Sequence, residues 1–239
     1  MTYFRFHIYF NAPVLAALLL CPAARAWDGG RLAAAGILLA IVYAFTTPWD
    51  NVAVARGMWG FPPGKYWRRI GHLPVEEYLF FGLQSVEVML LVNVLAGLGW
   101  GGAAWAVPSL TSLAVLGPLG AVVAVWFAVG WIWRRRPARF NYAWHLFFWF
   151  SPIIIAQWIV GWEVIAPRWA LVVAPTLLIG AWLSAADFLA VRAGLWFFDD
   201  RQVTGFKFGG KLPWEEVAFF HLTSLLVAQS YVLLAELAR

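Results

Sequence analysis

The chain has 239 residues, 63% of them apolar and 12% charged, and its mean hydropathy is +0.74. Soluble domains carry about 25% charged residues, which excludes a water-soluble globular fold, and 17 Trp, 19 Phe and 7 Tyr exclude a disordered chain. The single cysteine, Cys21, supports neither an internal disulfide nor a cysteine metal site, and the net charge of +5 needs a partner: nucleic acid or an anionic membrane surface.

A membrane-spanning helix needs about 20 mostly apolar residues. Seven spans are expected in chain order, at 4–22, 32–50, 73–97, 109–133, 142–162, 169–190 and 212–236. The run from Val88 to Trp133 is too long for one span; Gly97, Gly99, Gly101, Gly102 and Pro108 divide it. With this count, alternate segments hold Arg5; Arg56, Lys65, Arg68 and Arg69; Arg134, Arg135, Arg136 and Arg139; and Arg192, Arg201, Lys207 and Lys211. The segments between them hold Arg25, Arg31, Arg168 and Arg239. Cytoplasmic loops carry the Lys/Arg excess, which predicts a cytoplasmic N-terminus and a multi-pass, all-α protein of the cell membrane. The positive charge then reflects topology and contact with membrane lipid, and no nucleic-acid partner is expected. Arg5, an apolar run and Ala24-Arg25-Ala26 imitate a secretory signal, but the helix that cleavage would remove has a counterpart deep in the chain.

That counterpart comes from an internal repeat. Asp50, Ala53, Val54, Gly57 and Trp59 coincide with Asp187, Ala190, Val191, Gly194 and Trp196 at a constant offset of 137. Farther on, Gly71, Leu73, Pro74, Glu76, Glu77, Phe80, Phe81 and Ser85 coincide with Gly210, Leu212, Pro213, Glu215, Glu216, Phe219, Phe220 and Ser224 at offset 139. Two extra residues in the second loop account for the change. Each unit is three helices, and corresponding helices are four spans apart, so the two units are parallel repeats. The division expected is a first unit at 1–104, a connecting helix at 105–139 and a second unit at 140–239.

Carboxylates inside membrane spans are costly and mark function. Asp50 and Asp187 fall at the cytoplasmic ends of the second and sixth spans, and Glu76-Glu77 and Glu215-Glu216 at the starts of the third and seventh. Pro followed by acids is also ordinary helix-start chemistry. Its duplication, with an aspartate facing it each time, points to a site. Adjacent helical positions diverge by about 100°, so one Glu of each pair aims inward. Glu76 and Glu215 are expected to be the acids, with Glu77 and Glu216 as like-charged neighbours that raise their pKa.

Aromatic residues surround these acids: Trp49, Trp59, Phe80 and Phe81 in one unit, and Trp196, Trp214, Phe219 and Phe220 in the other. Many of the 17 Trp form an interfacial belt, but ring faces beside carboxylates also stabilise a cation without attacking it. An acid that protonates an alkene, lined by such faces, is what a polyene cyclisation requires. His72, His145 and His221 are not spaced as metal ligands, and no metal is expected. There is no Gly-x-Gly-x-x-Gly, P-loop or Gly-x-Ser-x-Gly, and no span carries a lysine for a retinal Schiff base.

The run Pro48-Trp49-Asp50-Asn51, then Gly57-x-Trp59, then Pro74-x-Glu76-Glu77-x-x-Phe80-Phe81 resembles the lycopene cyclase domain family, the membrane-embedded, heterodimer-type carotenoid cyclases. The likeness covers nearly the whole chain. It implies two three-helix units acting together, ring formation at the ends of lycopene without net redox change, and no flavin or other cofactor. It also implies Pro48, Trp49, Asp50, Asn51, Pro74, Glu76 and Glu77 as site residues, with Asp187, Pro213, Glu215 and Glu216 in the second unit. Ala185-Ala186-Asp187-Phe188 departs from the pattern by losing Pro-Trp and Asn, which suggests that the halves have specialised.

The mechanism expected is therefore acid–base: Glu76 and Glu215 donate a proton to the terminal alkene, and Asp50 and Asp187 hold or return protons. The substrate is lycopene or another long polyene dissolved in the bilayer, and neighbouring carotenoid enzymes are possible contacts. A cyclase of C50 or ε-type carotenoids, and a small parallel-repeat transporter with a carboxylate proton relay, are the alternatives.

Overall fold

The structure is a computed structural model that describes residues 1–102 and 112–238. The expected breaker Pro108, the start of the span at 109–133 and the boundary at 104–105 lie outside the described residues. The helices are α1 Tyr3–Leu20, α2 Gly29–Ala55, α3 Val75–Gly97, α4 Ser112–Ile132, α5 Asn141–Ile165, α6 Trp169–Arg192 and α7 Trp214–Leu237. In α1 a π turn, His7–Asn11, precedes Pro13, whose missing N–H and ring disfavour a regular helix there. Asp28 caps α2 by accepting from the Arg31 N–H at 2.7 Å.

Six stretches are long and apolar enough to cross a membrane among the described residues. This differs from the seven expected, because Ala138–Arg192 is one continuous helical stretch of 55 residues. Within it α5 and α6 meet at a 3₁₀ turn, Ala166–Arg168, built on Pro167 without any extended break.

Helix α7 packs against α6, α5, α2 and α3, and α3 packs in turn against α1, α2 and α6. The core therefore forms where the two expected units meet. Helix α4 lies against α5, and none of its span is buried inside the protein; an apolar helix with no protein cover suits lipid on its outer face.

Short two-residue strands occur only in the connecting loops among the described residues. Arg69–Ile70 pairs with Leu73–Pro74, and Lys207–Phe208 with Leu212–Pro213, making matched hairpins that lead into α3 and α7. Trp59–Gly60 pairs antiparallel with Phe197–Phe198 and so stitches the loop of one unit to that of the other. The backbone at the ends of α1 and α5 is tied down equivalently: the Tyr3 N–H donates to the Lys65 carbonyl at 2.7 Å and the Tyr142 N–H to the Gln202 carbonyl at 3.0 Å.

The first hairpin turns at Gly71, with φ +62°, and a Cβ built there would lie 2.5 Å from Asn51 Oδ1. That oxygen accepts from the His72 N–H at 2.8 Å, and the Asn51 Nδ2 donates to the Thr47 carbonyl at 2.8 Å. Asn51, expected at the substrate, forms a clasp between α2 and the hairpin. Phe188 holds the matching position in the second unit and closes on Gly209 with its ring, so this departure from the repeat changes a loop anchor. Gly71→Ala should lower stability by about 1–3 kcal/mol through strain at positive φ and loss of the clasp. Thermal unfolding of the purified protein in detergent checks this; an unchanged midpoint would contradict it.

Candidate active site

Four carboxyl groups converge where the units meet. Asp50 and Asp187 come from the last turns of α2 and α6, and Glu77 and Glu216 from the first turns of α3 and α7. Asp187 is fully buried, and at most 9% of any of the other three is exposed. Asp50 and Glu77 are within hydrogen-bonding reach of each other. Across the units, Glu216 lies close enough to interact electrostatically with Asp50 and Glu77, and Glu77 with Asp187. None of the four is in an ion pair among the described residues.

Each glutamate is held by a phenol from the first helix of its own unit. The Tyr3 hydroxyl donates to Glu77 Oε2 at 2.7 Å, and the Tyr142 hydroxyl donates to Glu216 Oε2. Each aspartate has an indole from the loop that follows it. Trp59 Nε1 donates to Asp50 Oδ1 at 3.0 Å, whereas the Trp196 indole approaches Asp187 without closing a full hydrogen bond. The rings then cross over. Trp59 packs on Tyr142 of the other unit at 4.8 Å between centroids, and Trp196 on Tyr3 at 5.0 Å. Neither half completes the arrangement alone.

The geometry reverses the expected choice within each Glu pair. Glu76 Oε1 accepts from the Trp67 N–H at 2.9 Å, and Glu215 Oε1 from the Thr204 N–H at 2.7 Å. These two glutamates turn back over the helix start and anchor the preceding loop. Glu77 and Glu216, one position on, face the cavity. Sequence alone supplied the 100° divergence without the angle at which each helix enters the bundle.

The cavity between Glu77 and Glu216 measures ≈ 40 Å³ and is walled by Tyr3, Trp59, Phe80, Trp196, Phe219 and Phe220, with Phe6, Phe61 and Phe198 completing it. Beside it runs an apolar groove of ≈ 390 Å³ between α2, α3, α5 and α7. Its lining reaches from Phe81 and Phe219 to Leu237, about 27 Å along α7 at 1.5 Å per residue. Phe219 belongs to both walls. Of the other expected residues, Phe81 lines the groove, and Trp49 lies behind the cavity, stacked between His145 at 5.0 Å and Phe219 at 5.2 Å. Trp214 stays outside, stacked on Phe147 and donating to Thr204 Oγ1. Glu87, fully buried in α3, is directed to Asn11 of α1 and is not among the cavity residues. Among the described residues no group of three His, Cys, Asp or Glu is arranged to hold a metal ion.

Tyr3, Tyr142, Phe61 and Phe198 were not expected from sequence. A signal existed for the tyrosines: Tyr3 and Pro13 match Tyr142 and Pro152 at the same offset of 139 that relates the glutamate pairs. With Ala17 matching Ala156 as well, three coincidences in an otherwise dissimilar apolar helix are too few to stand out.

The profile of the lycopene cyclase family matches the chain twice, over residues 5–96 and 139–234. A lycopene beta-cyclase of Halobacterium salinarum is 37% identical over 225 residues, spanning 93% of this chain and 91% of the relative. Bifunctional lycopene cyclase/phytoene synthases of Sporisorium reilianum and Blakeslea trispora are each 28% identical. This chain matches 34% and 38% of their respective lengths. No solved structure matches.

Because Tyr142 and Glu216 are buried partners, Tyr142→Phe and Glu216→Gln should each destabilise the protein and combine non-additively, with a coupling of about 0.5–3 kcal/mol. A double-mutant cycle on thermal unfolding in detergent measures the coupling. Simple additivity would place the phenol and the carboxylate in separate interactions.

Proposed function

This chain belongs to the lycopene cyclase family, and we propose that it closes β-ionone rings at the ends of lycopene by adding and removing protons, with no net redox change. The observation that carries the reading is the carboxyl cluster of Asp50, Glu77, Asp187 and Glu216, faced with aromatic rings and divided by Phe219 from a long apolar groove. In this reading its partners are the long polyene, the surrounding membrane lipid and neighbouring carotenoid enzymes.

The acids are Glu77 and Glu216. Four like-charged carboxylates cannot all be ionised in a dry site without counter-ions, so the cluster keeps a carboxylic proton for the terminal alkene. Protonation leaves a tertiary cation, the neighbouring internal double bond attacks it, and a new carbon–carbon bond closes the ring. A ring proton then passes to a carboxylate of the cluster, with Asp50 and Asp187 as the proton holders. One proton enters and one leaves, so the product is an isomer of the substrate. The faces of Trp59, Trp196, Phe80, Phe219 and Phe220 stabilise the cation, each by about 0.5–2 kcal/mol, and offer it no lone pair. The groove holds the polyene chain, and Phe219 must yield for a chain end to pass from the groove to the acids.

The proposed topology is seven spans with a cytoplasmic N-terminus, in the cell membrane. A stretch of 55 residues is about 80 Å of helix, against a hydrocarbon core of about 30 Å, so Ala138–Arg192 crosses twice with its turn at Pro167. Residues 1–104 and 140–239 are then parallel units joined by 105–139, and all four acids fall at the cytoplasmic face. A transporter relay would want them near mid-membrane.

Expression in lycopene-accumulating cells with pigment chromatography tests the activity. Glu77→Gln and Glu216→Gln should each lower total cyclised product at least about a hundredfold, within the 10²–10⁴ range of a general acid. Glu76→Gln and Glu215→Gln should act mainly on stability and leave most of the activity per folded molecule. Unchanged lycopene with the wild-type protein in the membrane would defeat the assignment, and near-normal product from either of the first two variants would defeat the shared acid site. The purified active protein should also show no flavin absorbance; a flavin retained through purification and needed for turnover would contradict a redox-neutral reaction.

A further inference from the structure

We infer that a hollow between the ends of α4 and α5, sharing no lining residue with the carboxyl-cluster cavity, binds the phosphate of an anionic ligand, and that its source is the headgroup of an anionic phospholipid. The hollow measures ≈ 560 Å³, and its lining includes Arg56, Arg134, Arg136, Asn141, Trp131 and Trp144. The Arg134 guanidinium lies 3.8 Å over the Trp131 ring and donates to the Trp131 carbonyl at 2.8 Å. Arg136 lies 5.1 Å over Trp144, and its buried Nε has no hydrogen-bond partner. Burial and the nearby Arg56 charge press its pKa down.

Three cations are thus gathered without an acid. The two aspartates of the adjoining loop are already engaged, Asp199 by Arg201 at 3.1 Å and Asp200 by Lys207. None of the three hollow arginines is in an ion pair among the described residues. Guanidinium groups fork onto phosphate oxygens and stack on rings at the same time, which matches a phosphate seated among Arg56, Arg134 and Arg136 above Trp131 and Trp144. A soluble phosphate or diphosphate offers the same oxygens. The lipid source is favoured because the hollow closes the end of an uncovered apolar helix and Trp131 is 68% exposed, the placement of an interfacial anchor. This inference rests on the membrane reading above and is independent of the cyclase chemistry.

The test uses the full chain purified in neutral detergent, incubated with equal phosphatidylcholine and phosphatidylglycerol and analysed by native mass spectrometry. The wild type should retain phosphatidylglycerol preferentially. Arg134→Gln combined with Arg136→Gln should lower that preference about tenfold or more, while Arg201→Gln, which removes a cation already paired with Asp199, should keep it. Equal retention of both lipids, persistence of the preference in the double variant, or an equal loss in Arg201→Gln would overturn the site. Inorganic phosphate and pyrophosphate form the second arm. Failure of both to displace phosphatidylglycerol supports the lipid source; displacement at micromolar pyrophosphate supports the phosphate site but overturns the lipid as its occupant. Pigment analysis of the same variants reads the cyclase activity separately.

Discussion

The architecture depends on one constraint: four carboxyl groups are buried together in an apolar helix bundle, and among the described residues no cation pairs with them. Such a group is expensive to bury unless its oxygens are hydrogen-bonded and its protons shared. The bundle meets the demand with neutral donors. Phenols from α1 and α5 hold the glutamates, and indoles from the loops after α2 and α6 approach the aspartates. A neutral donor favours the charged carboxylate less strongly than an arginine would, and both oxygens of Asp187 stay without a full hydrogen bond. The donors must come from four elements at once, which explains why the chain is a repeat: each unit supplies two acids, one phenol and one indole, and the rings of one unit pack on those of the other.

The repeat is nevertheless not symmetric. Trp49 fills the space between the units by stacking on His145 and Phe219, and Ala186 at the matching position leaves no second ring there. The hydrogen bond from Trp59 to Asp50 is complete, whereas Trp196 only approaches Asp187. The long groove likewise runs on one side, along α2, α3, α5 and α7. Asp50 therefore carries the more tightly defined of the two aspartate positions.

Much of this was legible in the sequence because it rests on composition and periodicity. The apolar runs located the helices, and the offsets of 137 and 139 exposed the repeat and brought Asp50, Asp187 and both Glu pairs to one face. What the sequence withheld depends on rotation and packing. Whether Glu76 or Glu77 faces inward is decided by how α3 leaves its hairpin, and the hairpin is set by the Asn51 clasp on His72. Asn51 read as a site residue because it belongs to the motif that carries the resemblance, yet a residue next to Asp50 points to another side of the helix. Tyr3 and Tyr142 stayed hidden in aromatic-rich helices where one phenol looks like any other interfacial ring. The pairing of Trp59–Gly60 with Phe197–Phe198 joins residues far apart in the chain and left no local signal.

The central claim is that both units build one site, with Glu77 and Glu216 on either side of a single chain end. An experimental structure of the protein with lycopene bound would test it most directly. The account predicts one polyene per chain, its terminus between Glu77 and Glu216 among the rings of Trp59, Trp196 and Phe220, and its body along the groove toward Leu237. Two termini seated in separate units, or a polyene whose end lies away from these acids, would contradict it.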